Sequence, residues 1–203
     1  MRWTLGVRNQ RRPILQTRTD EAPGTGSAPV RYTRVAAWLH WLIAALILIT
    51  IPLILFGGSG KTALHDTATN AHKLVGITIL LLTVARILWR LTHRPPALPE
   101  TMTRTLRTAA KAVHILFYIL LLAMPLSGWW MTSAFPKRHP IEAGLFDIPF
   151  LPVPVNIASA GGAHEVHEIG AWLMIALVIL HIAAAFKHQF INRDDILPRM
   201  ARR

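Results

Sequence analysis

The stretch Val35 to Phe56 (VAAWLHWLIAALILITIPLILF) runs for 22 residues without a charged side chain. At about 1.5 Å of rise per residue, a helix of that length crosses the roughly 30 Å hydrocarbon layer of a bilayer. Three further segments share the pattern. Residues 71–91 are apolar after Lys73 and interrupted only by Arg86 and Arg90 near one end, where long side chains snorkel toward headgroups. Residues 112–135 form a third span carrying Pro125 and Gly128, and residues 167–190 a fourth. Trp38, Trp41, Trp89, Trp129, Trp130 and Trp172 gather toward the span ends, as an interfacial belt does. The expected fold is an all-α, integral membrane four-helix bundle over residues 31–203. A flexible basic tail, residues 1–30, precedes it and lacks the apolar h-region of a secretory signal.

The chain is basic, with 22 Lys and Arg against 10 Asp and Glu. A nucleic-acid binder would carry this charge on amphipathic elements; here it lies between uncharged runs. All but four of the basic residues fall before span one, around the connection from span two to span three, or after span four. Only Lys61, Lys73, Lys137 and Arg138 fall on the other side. The positive-inside rule then puts both termini in the cytoplasm, and nucleic acid is not the expected partner.

No cysteine is present, which removes disulfides, Cys-ligated zinc, iron–sulfur clusters and covalent haem attachment through C-x-x-C-H. Imidazole remains as a ligand. His40 lies near the cytoplasmic end of span one and His181 near that of span four; His72 opens span two and His167 opens span four at the outer end. His167 and His181 are fourteen residues apart, about 21 Å of rise and nearly the same helix face. The spacing predicts two facing pairs at two depths, His40 with His181 and His72 with His167. Such pairs hold b-type haem between helices without covalent attachment. Small residues flank each ligand (Ala36 and Ala44, Gly76, Gly170 and Ala171, Ala184 and Ala185), although Gly and Ala are common wherever membrane helices pack. Arg34 and Lys187 are candidate propionate contacts. His114, near the inner end of span three, is a fifth candidate: a partner of the inner pair, or a propionate or quinone contact.

Two apparent motifs fail. Gly60-Lys61-Thr62 echoes a phosphate loop but lacks the upstream Gly and the preceding strand, and His164-Glu165-Val166-His167 has neither the order nor the spacing of a zinc-protease motif. The segment IPFLPVPV between spans three and four is apolar but broken by proline, and is expected to lie over the outer face of the bundle.

Trp38-Leu39-His40-Trp41, Ala71-His72-Lys73 with Gly76, Val84-Ala85-Arg86-Ile87-Leu88-Trp89-Arg90, Val113-His114-Ile115 with Tyr118, His167-Glu168 with Gly170, and Leu180-His181-Ile182-Ala183-Ala184 together resemble bacterial cytochrome b561. That resemblance covers about residues 31–200. It implies a dihaem protein of the bacterial inner membrane, with two haem b held by His40, His72, His167 and His181. It also implies electron exchange with ubiquinone and, in one branch, oxidation of superoxide at the outer surface. On that reading Arg86, Arg90 and Tyr118 are candidate quinone contacts near the inner haem, with a quinone site at the outer end as the alternative, and Lys73, Lys137 and Arg138 are candidates to steer superoxide. The competing readings are a cytochrome b anchor relaying electrons for a separate dehydrogenase or hydrogenase, and a cofactor-free transporter.

Overall fold

The computed structural model describes residues 31–57, 62–97, 102–193 and 196–200. The basic tail 1–30 and Lys61 lie outside the described residues. Four long helices are present: α1 (Arg34–Phe56), α2 (Ala63–Thr92), α3 (Arg104–Ala134) and α4 (Ile157–Phe186). All four are long and apolar enough to cross a membrane. In lipid a spanning chain must satisfy its own backbone, and helices do so within each segment. A π-helical turn, Lys187–Asn192, extends α4, and a short α5 (Ile196–Met200) follows.

Three of the four helices begin well before the apolar spans read from the sequence. Helix α2 begins at Ala63 instead of residue 71, α3 at Arg104 instead of 112, and α4 at Ile157 instead of 167. Hydropathy marks where a helix becomes apolar, whereas its start is set by the cap. Thr33 Oγ1 accepts from Ala36 N at 3.2 Å, Thr62 Oγ1 from His65 N at 3.2 Å, Thr103 Oγ1 from Leu106 N at 3.3 Å, and Asn156 Oδ1 from Ser159 N at 2.6 Å. Each occupies an amide that the first helical turn leaves without a partner. His72 and His167 therefore do not open their helices; each follows two to three turns of polar helix.

Helices α1 and α2 pack together, as do α2 with α3 and α3 with α4, so the bundle runs up and down in chain order. The turn from α1 to α2 is tight at Gly57, where an added Cβ would collide with the Leu53 carbonyl and the Ala68 methyl. The buried core is an aliphatic layer of Ile43, Ile47, Ile79, Leu120, Leu121, Met174 and Leu177. By sequence, this layer falls between the two predicted histidine levels.

At one end, here the basic end, the start of α1 meets α5: Trp41 Nε1 donates to Met200 O at 3.0 Å and Tyr32 N to Arg199 O at 3.3 Å. At the other, the hairpin end, strands β1 (Ile141–Glu142) and β2 (Asp147–Ile148) pair antiparallel, a small departure from an all-α chain. The proline-broken segment lies against this end as expected. Trp129 Nε1 donates to Pro149 O at 3.0 Å, and Leu151 N donates to the Oγ of fully buried Ser133 at 2.9 Å.

The hairpin is tied to α2 by Asn70, whose Nδ2 donates to Glu142 O at 2.9 Å and whose Oδ1 accepts from Glu142 N at 3.1 Å. The side-chain amide thus serves as a strand partner. Asn70→Ala should cost about 1–2 kcal/mol. We expect faster limited proteolysis within residues 136–156 and little change in helix content by circular dichroism; unchanged cleavage would mean that Asn70 does not hold the loop.

Candidate functional site

The bundle brings the predicted histidines together in the predicted pairs. The rings of His40 (α1) and His181 (α4) have centroids 6.2 Å apart, and those of His72 (α2) and His167 (α4) are 6.1 Å apart. Imidazole–metal bonds of about 2 Å on each side of one iron, with ~1 Å from ring centre to nitrogen, put ring centres about 6 Å apart. Both separations fit a b-type haem held between two imidazoles. Among the described residues no group of three or more His, Asp or Glu side chains is arranged to hold a bare metal ion. Gly76, one turn after His72, has no atom within 4 Å of where a Cβ would stand, which leaves room beside that ligand for a flat group.

The histidines of the hairpin end are oriented by a neighbouring helix. His72 Nδ1 lies 3.1 Å from Thr50 O and 3.0 Å from Thr50 Oγ1 on α1. His167 Nδ1 lies 2.9 Å from Met124 O and 3.2 Å from Ser127 Oγ on α3. A carbonyl can only accept, so each ring carries its proton on Nδ1 and keeps Nε2 bare, with its lone pair free to bind a metal. Helix α3 can approach this closely because residue 128 is glycine: a Cβ there would stand 3.1 Å from His167 Cε1. Gly170 has a different task from the one its position suggested. The Met124 thioether packs beside it, so Gly170 lets α3 and α4 approach closely.

Sequence reasoning missed Thr50, Ser127 and Gly128. The signal was present, since Thr50 and Ser127 are isolated hydroxyls in aliphatic runs where a polar side chain needs a task.

At the basic end the His114 ring (α3) is also 5.9 Å from that of His181, so His181 faces both His40 and His114. One turn further along α3, the Tyr118 hydroxyl accepts from Arg86 Nε at 3.2 Å and from Arg90 Nη1 at 3.4 Å. Arg86 Nη1 donates to Ala36 O, one turn before His40, at 3.0 Å. Arg86, Arg90 and Tyr118 therefore form one cluster. Arg34, the first residue of α1, and Lys187, the first after α4, are exposed.

Of the steering candidates, Lys73 is partly buried next to His72, and Lys137 is exposed. Arg138 is engaged by the loop: Nη1 donates to Ser133 O at 3.1 Å, and the guanidinium lies 4.3 Å from the Phe150 ring centre.

Four membrane-length helices with imidazoles facing one another at two levels make a membrane bundle of the class that can hold haem between its helices. Comparison with known proteins gives the family: residues 31–203 match prokaryotic cytochrome b561, and the chain belongs to it. It is 34% identical to cytochrome b561 homolog 2 of Escherichia coli (strain K12), over 86% of this chain and 93% of that protein. It is 26% identical to cytochrome b561 homolog 1 of the same strain, over 84% of this chain and 96% of that protein. With the probable superoxide oxidase CybB of Yersinia pestis the identity is 24%, over 84% of this chain and 95% of that protein. The protein is thus a bacterial membrane electron-transfer protein, and its family implies b-type haem.

The space at Gly76 yields a test. Gly76→Ala meets no protein atom, so the apoprotein should fold normally, yet the methyl would intrude where the group's face sits. Haem content per chain should fall in the purified variant; an unchanged content would place the group elsewhere.

Proposed function

We propose that the chain is a dihaem b-type cytochrome of the bacterial inner membrane, passing electrons from a one-electron donor at the hairpin end to ubiquinone. The observation that carries this is the pair of histidine couples, each with ring centres near 6 Å, separated by an aliphatic layer. On this reading His72 and His167 hold one haem b, and His40 and His181 the other. The clustering of Lys and Arg supports a cytoplasmic basic end.

Bound haem supplies reversible one-electron chemistry, which the protein positions and tunes. With two imidazoles committed to each group, the residues leave no coordination position for a substrate, so transfer is outer-sphere. Superoxide is the donor we favour, an oxidoreductase role supported by the likeness to the probable superoxide oxidase of Yersinia pestis. Lys73, Lys137 and Arg138 supply positive charge at that end, with Arg138 also holding the loop.

At the basic end, the Tyr118 oxygen receives hydrogens from both arginines, so its own O–H is directed elsewhere and available to a quinone carbonyl. His114, one turn before it on the same face, completes the polar lining. Arg34 and Lys187, both exposed at this end, are the propionate contacts on this reading.

Purified protein should show b-type Soret and alpha bands with two haems per chain. In stopped-flow mixing, superoxide should reduce it directly, and added ubiquinone should reoxidise it. Reduction only in the presence of a partner dehydrogenase would overturn the superoxide reading in favour of a cytochrome anchor. Colourless protein would remove every haem assignment.

Neutralising Lys73, Lys137 and Arg138 together should slow superoxide reduction and flatten its dependence on ionic strength. If both stay at the wild-type level, these residues do not steer the anion.

A further inference from the structure

The two histidine couples are chemically unequal, and the inequality bears on the direction of electron flow. At the hairpin end both Nδ1 atoms meet helix carbonyls, with the Thr50 and Ser127 hydroxyls alongside. A hydrogen bond from the far ring nitrogen makes an imidazole a more basic ligand and favours the oxidised, more positive iron. Among the described residues, neither His40 nor His181 makes such a bond; their neighbours are the rings of Trp41, His114 and Phe117.

The basic end carries the opposite influence. Arg86 is held between Ala36 O and Tyr118 Oη one turn from His40, and Arg90 shares the same phenol. Among the described residues neither Arg86 nor Arg90 forms an ion pair with a carboxylate. The positive charge of Arg86 and Arg90 is therefore not cancelled by a carboxylate of those residues. In a low-dielectric setting it favours the electron-rich state of a nearby group.

We propose that His72 and His167 hold their haem at a lower midpoint potential than His40 and His181 hold theirs, with Arg86 the main positioning charge. An electron accepted at the hairpin end then runs downhill to the Arg86–Tyr118 cluster. This rests on the dihaem reading and deepens it. In a membrane negative on the cytoplasmic side, an electron moving inward works against the field, so a built-in drop offsets that cost.

Potentiometric titration of the haem-loaded full chain in nanodiscs tests it by midpoints rather than activity. Two resolved waves are expected, with only the lower surviving in His40→Ala and only the higher in His72→Ala. Arg86→Gln should move the higher midpoint down, Arg86→Lys should restore most of it, and Ser127→Ala should move the lower midpoint up. Two haems with coincident or reversed midpoints, or an Arg86→Gln variant that shifts neither wave, would overturn the inference alone. A wild-type preparation with fewer than two haems would overturn the dihaem reading and the inference with it.

Discussion

Hydrocarbon offers an imidazole N–H nothing to bond to, so a histidine that carries such a hydrogen inside a membrane gains most from a partner within the protein. At the hairpin end that partner is a main-chain carbonyl of the adjacent helix, Thr50 O for His72 and Met124 O for His167. Each bond does three things at once: it satisfies a buried donor, fixes the tautomer, and locks one helix to the next at a set depth. Much else follows from this constraint. Helix α3 must come close enough to touch His167, which asks for glycine at position 128, and Met124 brings its carbonyl to that ring while its thioether packs beside Gly170.

Between the levels lies a largely aliphatic layer. Ile43, Ile47, Ile79, Leu120, Leu121, Met174 and Leu177 pack together there, between couples about 21 Å apart along α4. Without a hydrophobic driving force between helices in lipid, such a layer is held by close contact and by polar ties at either end. Those ties are visible. Indole N–H groups of Trp41, Trp89, Trp129 and Trp130 reach Met200 O, Thr33 Oγ1, Pro149 O and Ser159 Oγ, stitching the helix ends to the segments beside them.

The spans and histidine couples were legible because their signals are long-range in sequence and simple in chemistry: an uncharged run, a fourteen-residue spacing, a lopsided distribution of arginine. The family resemblance seen in the same residues agrees with the match over residues 31–203. Helix starts were not legible from hydropathy, since Thr62, Thr103 and Asn156 cap the chain well before it turns apolar. The orienting carbonyls were hidden for a different reason. Every residue has one, and only three-dimensional approach selects Thr50 and Met124. The hydroxyls of Thr50 and Ser127 were the one trace left in the side chains.

The acceptors at the hairpin end belong to the backbone, and that has an evolutionary consequence. A side-chain partner such as an aspartate can be lost with a single codon, whereas every amino acid substituted at position 50 or 124 still brings a carbonyl oxygen. Drift in those two side chains can reshape the packing around the imidazoles while the bonds themselves persist. Selection on this half of the protein therefore falls on helix register and on the small residue that lets the helices meet. Glycine at 128 is where inheritance of the site is most exposed.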